Sequence, residues 1–199
     1  MKKLIGLLAV FFVVNAGQIF AAGTLEIGDS YQGGKVAYIF QVGDPGYNAN
    51  VQHGLIAATE DQSEGIEWYE RFVPTDATGI TLGTGSINTD KIIKKIKEQG
   101  HVATDYAAGL ARSHNGGGYH DWYLPSKDEL NKLYLNRVKI GGFALDTYWS
   151  SSEHDGGFFG YFACAQVFAL DHYLGDGAQL NGVRGDFLTL YRVRAVRTF

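Results

Sequence analysis

Three hydrophobic rhythms follow one another along this chain, and each predicts a different element. Lys2 and Lys3 precede a continuous apolar run from Leu4 to Val14 and small residues at Ala16 and Ala21-Ala22-Gly23. That order is the anatomy of a secretory signal peptide, and the run is short for a membrane span. Residues 1–22 are therefore expected to be the signal and residues 23–199 the domain, with cleavage after Ala16 as the alternative. GGKVAYIFQ (33–41) and HGLIAATEDQ (53–62) carry the β-branched and aromatic residues of strands. VGDPGYN between them supplies a turn, and IEWYERF brings Trp68 to plug a core.

The rhythm then becomes helical. In SINTDKIIKKIKEQGH, Ile92, Ile93 and Ile96 share a face, Asn88 or Thr89 can cap the start, and Gly100 can end the helix. A second helix is expected over Val102 to Ser113, where Ala103, Ala107, Ala108 and Ala111 permit close packing. The clearest signal is DWYLPSKDELNKLYLNR: Ser126 and Glu129 form a capping box, so a helix should start at Lys127 with Leu130, Leu133 and Tyr134 as its buried stripe. From Thr147 onward, short apolar runs alternate with Gly and Asp. TYWSSS, GFFGYFACAQVFAL and FLTLYRVRAVRTF read as strands, with turns at His154–Gly157 and Gly175–Gly177. The last run places Tyr191, Val193, Ala195 and Val196 against Arg192, Arg194 and Arg197, the pattern of one half-buried closing strand. The sum is an α+β domain with two to three helices, a mostly antiparallel sheet and a β-rich C-terminal half.

Charge narrows the function. Seventeen Lys and Arg against 21 Asp and Glu leave a net charge of -4 with no basic block, which speaks against nucleic acid as a partner. Lys91, Lys94, Lys95 and Lys97 form the main basic cluster, a solvated helix face or a site for an acidic polysaccharide. Cys164 is the only cysteine, so the chain has no internal disulfide, and its apolar setting suits a buried small side chain better than a nucleophile. His114 and His120 lack convergent partners, and Asp171, Asp176 and Asp186 lack an EF-hand spacing, so neither a metal nor another cofactor is expected. Ser150–Ser152 lack a nucleophile elbow and should pair within the sheet. A non-enzymatic protein is the expectation, exported to the periplasm, the cell surface or the medium, with no stable membrane span after signal removal.

GLIAATEDQS, GTGSINTD, GGYHDWYLPSKDELNKLYLNRVKIGGF, YWSSSE and VRAVRTF, in that order, resemble the Lcl C-terminal domain family, named after a collagen-like bacterial adhesin and largely of unknown function. The resemblance covers nearly all of residues 23–199. It implies a C-type-lectin-like fold, shared with the formylglycine-generating enzyme and with the variable proteins of diversity-generating retroelements, whose C-terminal part carries the ligand-contacting surface. Family members often have paired Cys before the Asp-Trp motif, and this chain has none there; no collagen-like repeat precedes the domain. An enzyme like the formylglycine-generating group would need reactive cysteines, and only Cys164 is present.

From His154 to Arg197 there is no Lys, Glu, Met or Trp. An Asn codon randomised at its adenines yields every residue except Lys, Glu, Gln, Met and Trp, so retroelement diversification would leave such a gap; β-rich, Gly-punctuated sequence leaves a similar one. Gln166 and Gln179 alone break the rule and would be fixed positions between variable ones. The segment also has the composition of an adaptable binding face. Its candidate ligand-contacting residues are Phe158, Phe159, Tyr161, His172, Tyr173 and Tyr191 for aromatic area, with Asp176, Asn181, Arg184 and Asp186 for polar specificity. The ligand would be a protein or a glycan.

Overall fold

In the computed structural model, which describes residues 24–70, 72–169, 175–183 and 189–199, the chain builds two sheets and three helices. The side chains of residues 182 and 183 lie outside this description, as do the expected signal and the candidate residues His172, Tyr173, Arg184 and Asp186. The first sheet comprises β1 (Ser30–Tyr31), β2 (Gly34–Ile39) and β3 (Gly54–Ala57), joined at its far edge by the last strand of the chain. β4 (Ser63–Ile66) belongs to the second sheet. Three helices follow: α1 (Gly85–Glu98), α2 (Ala107–Ser113) and α3 (Lys127–Ile140). β5 (Thr147–Asp155), β6 (Tyr161–Val167), β7 (Gln179–Val183) and β8 (Tyr191–Val193) complete the second sheet, and β9 (Val196–Thr198) returns to the first. The orders are β1-β2-β3-β9 and β4-β8-β5-β6-β7, antiparallel except where β5 meets β8. The fold is α+β, as the sequence implied.

Successive strand residues point to opposite faces, and this divides the core in two. Ile56 and Trp149 enter a cluster with Trp68, Tyr69, Ile92, Ile96, Trp122 and the alanines of α2. Their neighbours Leu55 and Tyr148 enter a second cluster with Leu130, Leu133, Phe168 and Val196 beneath α3. Burying each large side chain contributes about 1.5–3 kcal/mol.

α3 starts at Lys127 as expected. The Ser126 hydroxyl accepts from the Glu129 N–H at 3.3 Å, and Glu129 Oε2 accepts from the Ser126 N–H at 2.8 Å. α1 ends as expected at Gly100, whose φ of 82° lets the His101 N–H reach the Ile96 carbonyl. Its start differs: the helix begins at Gly85, with Asn88 and Thr89 buried inside it. Those two side chains serve tertiary contacts instead of a cap. Asn88 exchanges hydrogen bonds with both backbone groups of Gly79, and the Thr89 hydroxyl accepts from the Leu124 N–H.

The expected helix over Val102 to Ser113 is broken. A 3-10 turn at Ala103–Asp105 is followed by extended Tyr106, and α2 begins only at Ala107. The Ala107 N–H is bound to the Glu67 carbonyl at 3.0 Å, and the Tyr106 ring packs at right angles to Tyr69. The single closing strand is corrected as well. It divides into β8 and β9, in different sheets, and two of its three arginines are buried, Arg194 (0% exposed) and Arg197, while Arg192 is half-buried. Arg194 crosses between the sheets because Asp61 waits there, 2.8 Å from its Nε, while Arg197 Nε lies 2.7 Å from Asp121.

Candidate functional site

The hairpin of β5 and β6 ends in a turn that sequence and backbone build together. Asp155 Oδ1 accepts from the Gly157 N–H at 2.7 Å, the Gly156 N–H donates to the Gly160 carbonyl at 2.9 Å, and Phe159 and Gly160 close a 3-10 turn. Glycine is required at 156, where a Cβ would lie 2.0 Å from the Phe162 ring, and at 160, where φ is 89°. This turn carries Phe158 and Phe159 outward. They are 95% and 64% exposed, with ring centroids 5.9 Å apart and planes at 83°. Tyr161 begins β6 opposite Asp155 and is half-buried. His154, exposed at the end of β5, adjoins the tip and was absent from the sequence-derived set; only its place at the start of the expected His154–Gly157 turn marked it.

The remaining candidates lie elsewhere on the sheet. Asn181 is exposed on edge strand β7, opposite Cys164, whose Sγ donates toward Asn181 Oδ1 at 3.6 Å. Asp176 sits at the other end of the β6–β7 hairpin, 3.0 Å from Arg137 Nη2 on α3. Tyr191 is on β8, beyond β5, where its half-buried ring packs on Trp149 at 4.4 Å between centroids. The structure therefore groups Phe158, Phe159 and Tyr161 at one tip and gives Asp176 and Tyr191 contacts that hold the fold.

Two further side chains explain how this half is moored. Gln166 Nε2 donates to Asn131 Oδ1 at 2.8 Å and to the Gly177 carbonyl at 3.1 Å, and Gln179 Nε2 donates to the Lys127 carbonyl at 3.2 Å. Both glutamines tie the β6–β7 hairpin to α3. Burial pushes the Cys164 thiol up, away from the thiolate that nucleophilic chemistry uses. Ser150 and Ser152 donate to the carbonyls of Cys164 and Gly79, so these hydroxyls are spent on structure.

The basic face of α1 is largely engaged. Lys91 donates to the Asp76 carbonyl at 2.7 Å, while Lys94 and Lys95 lie 3.8 and 3.0 Å from Glu98. These residues and Thr75 line a cleft of about 230 Å³ that holds two carboxylates among its three ammonium groups. Among the described residues, no three His, Cys, Asp or Glu side chains gather as a metal site, and no helix is long and apolar enough to cross a membrane. No family model matches this chain, and no curated protein does.

Proposed function

We propose that this chain is an exported, non-enzymatic binding domain of C-type-lectin-like kind, whose C-terminal half contacts a protein or glycan ligand. The observation that carries this reading is the β5–β6 tip. Two adjacent phenylalanines are held in solvent by a turn whose hydrogen bonds and glycines fix its shape, and exposed large aromatics on a pre-organised turn are the chemistry of contact residues. Catalysis is disfavoured by the neutral, buried Cys164 thiol. An acidic-polysaccharide site on α1 is disfavoured by the pairing of Lys94 and Lys95 with Glu98.

The anchoring role of Gln166 and Gln179 supports a diversified segment. The two residues outside the adenine-randomised set both bond to α3, beside the Asp176–Arg137 pair, and variation at them would loosen the scaffold. Sequencing the gene from many sibling cells tests this. Substitutions confined to adenine positions between codons 154 and 191, sparing both glutamine codons, are expected; an invariant segment removes diversification from the reading. Binding itself is tested on a glycan array and a displayed-peptide library, each probed with the wild type and F158A/F159A. Signals lost in the double variant are expected, and ligands that bind both proteins equally would remove the tip from the contact surface.

A further inference from the structure

We infer that the loop between β2 and β3 holds a second binding site, for a neutral sugar, on the first sheet and apart from the tip. Residues 40–53 join the two strands without a helix or sheet strand of their own. That is more chain than a hairpin needs, and long loops in a compact domain serve binding when their ends are drawn together and their shape is fixed. Both conditions hold. The Phe40 N–H donates to the His53 carbonyl at 2.9 Å and closes the base of the loop. Within it, Asp44 Oδ2 accepts from the Tyr38 hydroxyl and the Gln41 N–H, each at 2.7 Å, and the Asp44 carbonyl accepts from the Tyr47 N–H at 3.1 Å. Asn48 Oδ1 accepts from the Asn50 N–H at 2.9 Å, and Gln52 bonds both backbone groups of Leu25 at 2.8 Å. A loop ordered in advance spares the ligand that cost.

The loop walls a cleft of about 250 Å³, with Phe40, Tyr47, Asn48, Asn50, Gln52 and His53 among its lining. Its chemistry is neutral. Among the described residues no Lys, Arg, Asp or Glu lines it, and Asp44, the one acidic residue of the loop, is spent on Tyr38 and Gln41. What remains is a set of uncharged donors and acceptors beside aromatic carbon. Asn48 uses its Oδ1 in the turn and keeps Nδ2 to donate, while the Tyr47 hydroxyl and the Asn50 amide make no hydrogen bond among the described residues. His53 Nδ1 lies 3.0 Å from the Phe199 carbonyl and can only donate to it, so the neutral ring keeps Nε2 as an acceptor. Such groups match the hydroxyls of a sugar, and the Tyr47 ring, 40% exposed, offers a surface to its C–H face. The cleft is smaller than the roughly 300–1,000 Å³ of pockets for drug-sized ligands, which suits a single sugar ring. Other clefts lack this character: five charged side chains line the one beside Lys91, and apolar groups with Arg137 wall the one beside Val138.

This site does not rest on the Phe158–Phe159 tip, and its test keeps the two apart. Glucose, galactose, mannose and N-acetylglucosamine are titrated in turn into the isotope-labelled protein, and amide resonances are followed by nuclear magnetic resonance. Shifts are expected in residues 40–53 with at least one sugar, at an affinity on the order of 1 mM, ordinary for one ring. Tyr47→Ala and Asn50→Ala should each weaken that binding by about five- to tenfold, and F158A/F159A should leave it unchanged. Both loop side chains are exposed, so unaltered urea midpoints are expected with them. Galacturonic acid should bind no better than galactose, since no cation lines the cleft to receive its carboxylate. Three results overturn the site: no loop shifts with any of the four sugars, shifts centred on residues 154–161 instead, or binding indifferent to both loop substitutions. Tighter binding of the acid overturns its neutral class. On the glycan array, a signal lost in Tyr47→Ala and kept in F158A/F159A belongs to this loop, and the reverse pattern belongs to the tip.

Discussion

The start of α3 and the β5–β6 tip are both turns tightened by a carboxylate, yet they do opposite things with their side chains. At α3, Glu129 and Ser126 are buried, and every polar group there has a partner: Glu129 also accepts from the Gly83 N–H at 2.9 Å and the Tyr123 hydroxyl at 3.2 Å. At the tip, Asp155 satisfies one N–H and the turn then presents its largest side chains to water. The first is a joint and the second is a handle. Substitutions should therefore cost stability at and around the joint, and cost binding at the handle.

The largest loss is expected at a buried ion pair just past the far end of α3. Arg194 has no exposed surface and meets Asp61 at 2.6 Å, and Asp61 also receives the Tyr148 hydroxyl at 2.9 Å and Arg192 at 3.3 Å. Asp61→Ala strands the guanidinium away from water and should lower unfolding free energy by about 3–5 kcal/mol, measured by urea titration. A shift below about 1 kcal/mol would mean that water reaches Arg194 and that the two sheets are not fastened there.

Ser126→Ala comes next, with an expected loss of about 1–2 kcal/mol. The hydroxyl caps the Glu129 N–H and also donates to the Thr81 carbonyl, so alanine leaves buried groups on both sides unsatisfied. Ser126→Asp separates the two roles, since a carboxylate can cap but cannot donate to Thr81.

This ranking follows what was legible in the sequence and what was not. Ser126 and Glu129 are three residues apart, and a pattern that local is visible in a string of letters. The partnership of Asp61 with Arg194 spans 133 residues and crosses between sheets, so the terminal arginines looked like the solvent side of one strand. Asn88 and Thr89 misled for the same reason: residues suited to a cap were used for contacts with Gly79 and Leu124 that no local pattern announces. At the tip, composition offered Phe158 and Phe159 as contact candidates without saying which aromatics of the segment face solvent, and the structure exposes these two. Composition could not separate them from Tyr191, because alternation fails where β8 packs on both Trp149 and β4.

Acid and alkali should divide two carboxylates, Glu129 at the joint and Asp121 beside Arg197. Burial raises the Glu129 pKa despite the hydrogen bonds to its carboxylate. Its contribution is full below the ordinary glutamate range and is lost as pH rises through the raised folded value. Asp121 runs the other way: the hydrogen-bonded Arg197 guanidinium lowers its pKa, so its contribution is full above the ordinary aspartate range and is lost as pH falls through the lowered value. Urea midpoints across pH should show Glu129→Gln abolishing part of the loss on raising pH, and Asp121→Asn abolishing part of the loss on acidification. Identical pH profiles for either variant and the wild type would remove that carboxylate from the account.

The smallest stability effect belongs to the handle, and its smallness is the point. Phe158 and Phe159 contribute little burial within one chain, so F158S/F159S should move the urea midpoint by no more than about 0.5 kcal/mol in free energy. The turn itself is held by backbone groups and Asp155, none of which the substitution removes. Asp155→Ala supplies the contrast, because it frees the Gly157 N–H and loosens the turn while keeping both rings. If the rings act only through their area, D155A should bind as the wild type does. If the fixed shape of the tip matters, D155A should lose a measurable part of its binding with its stability nearly intact, and that is the expected result, since a loosened turn must be ordered again at each contact.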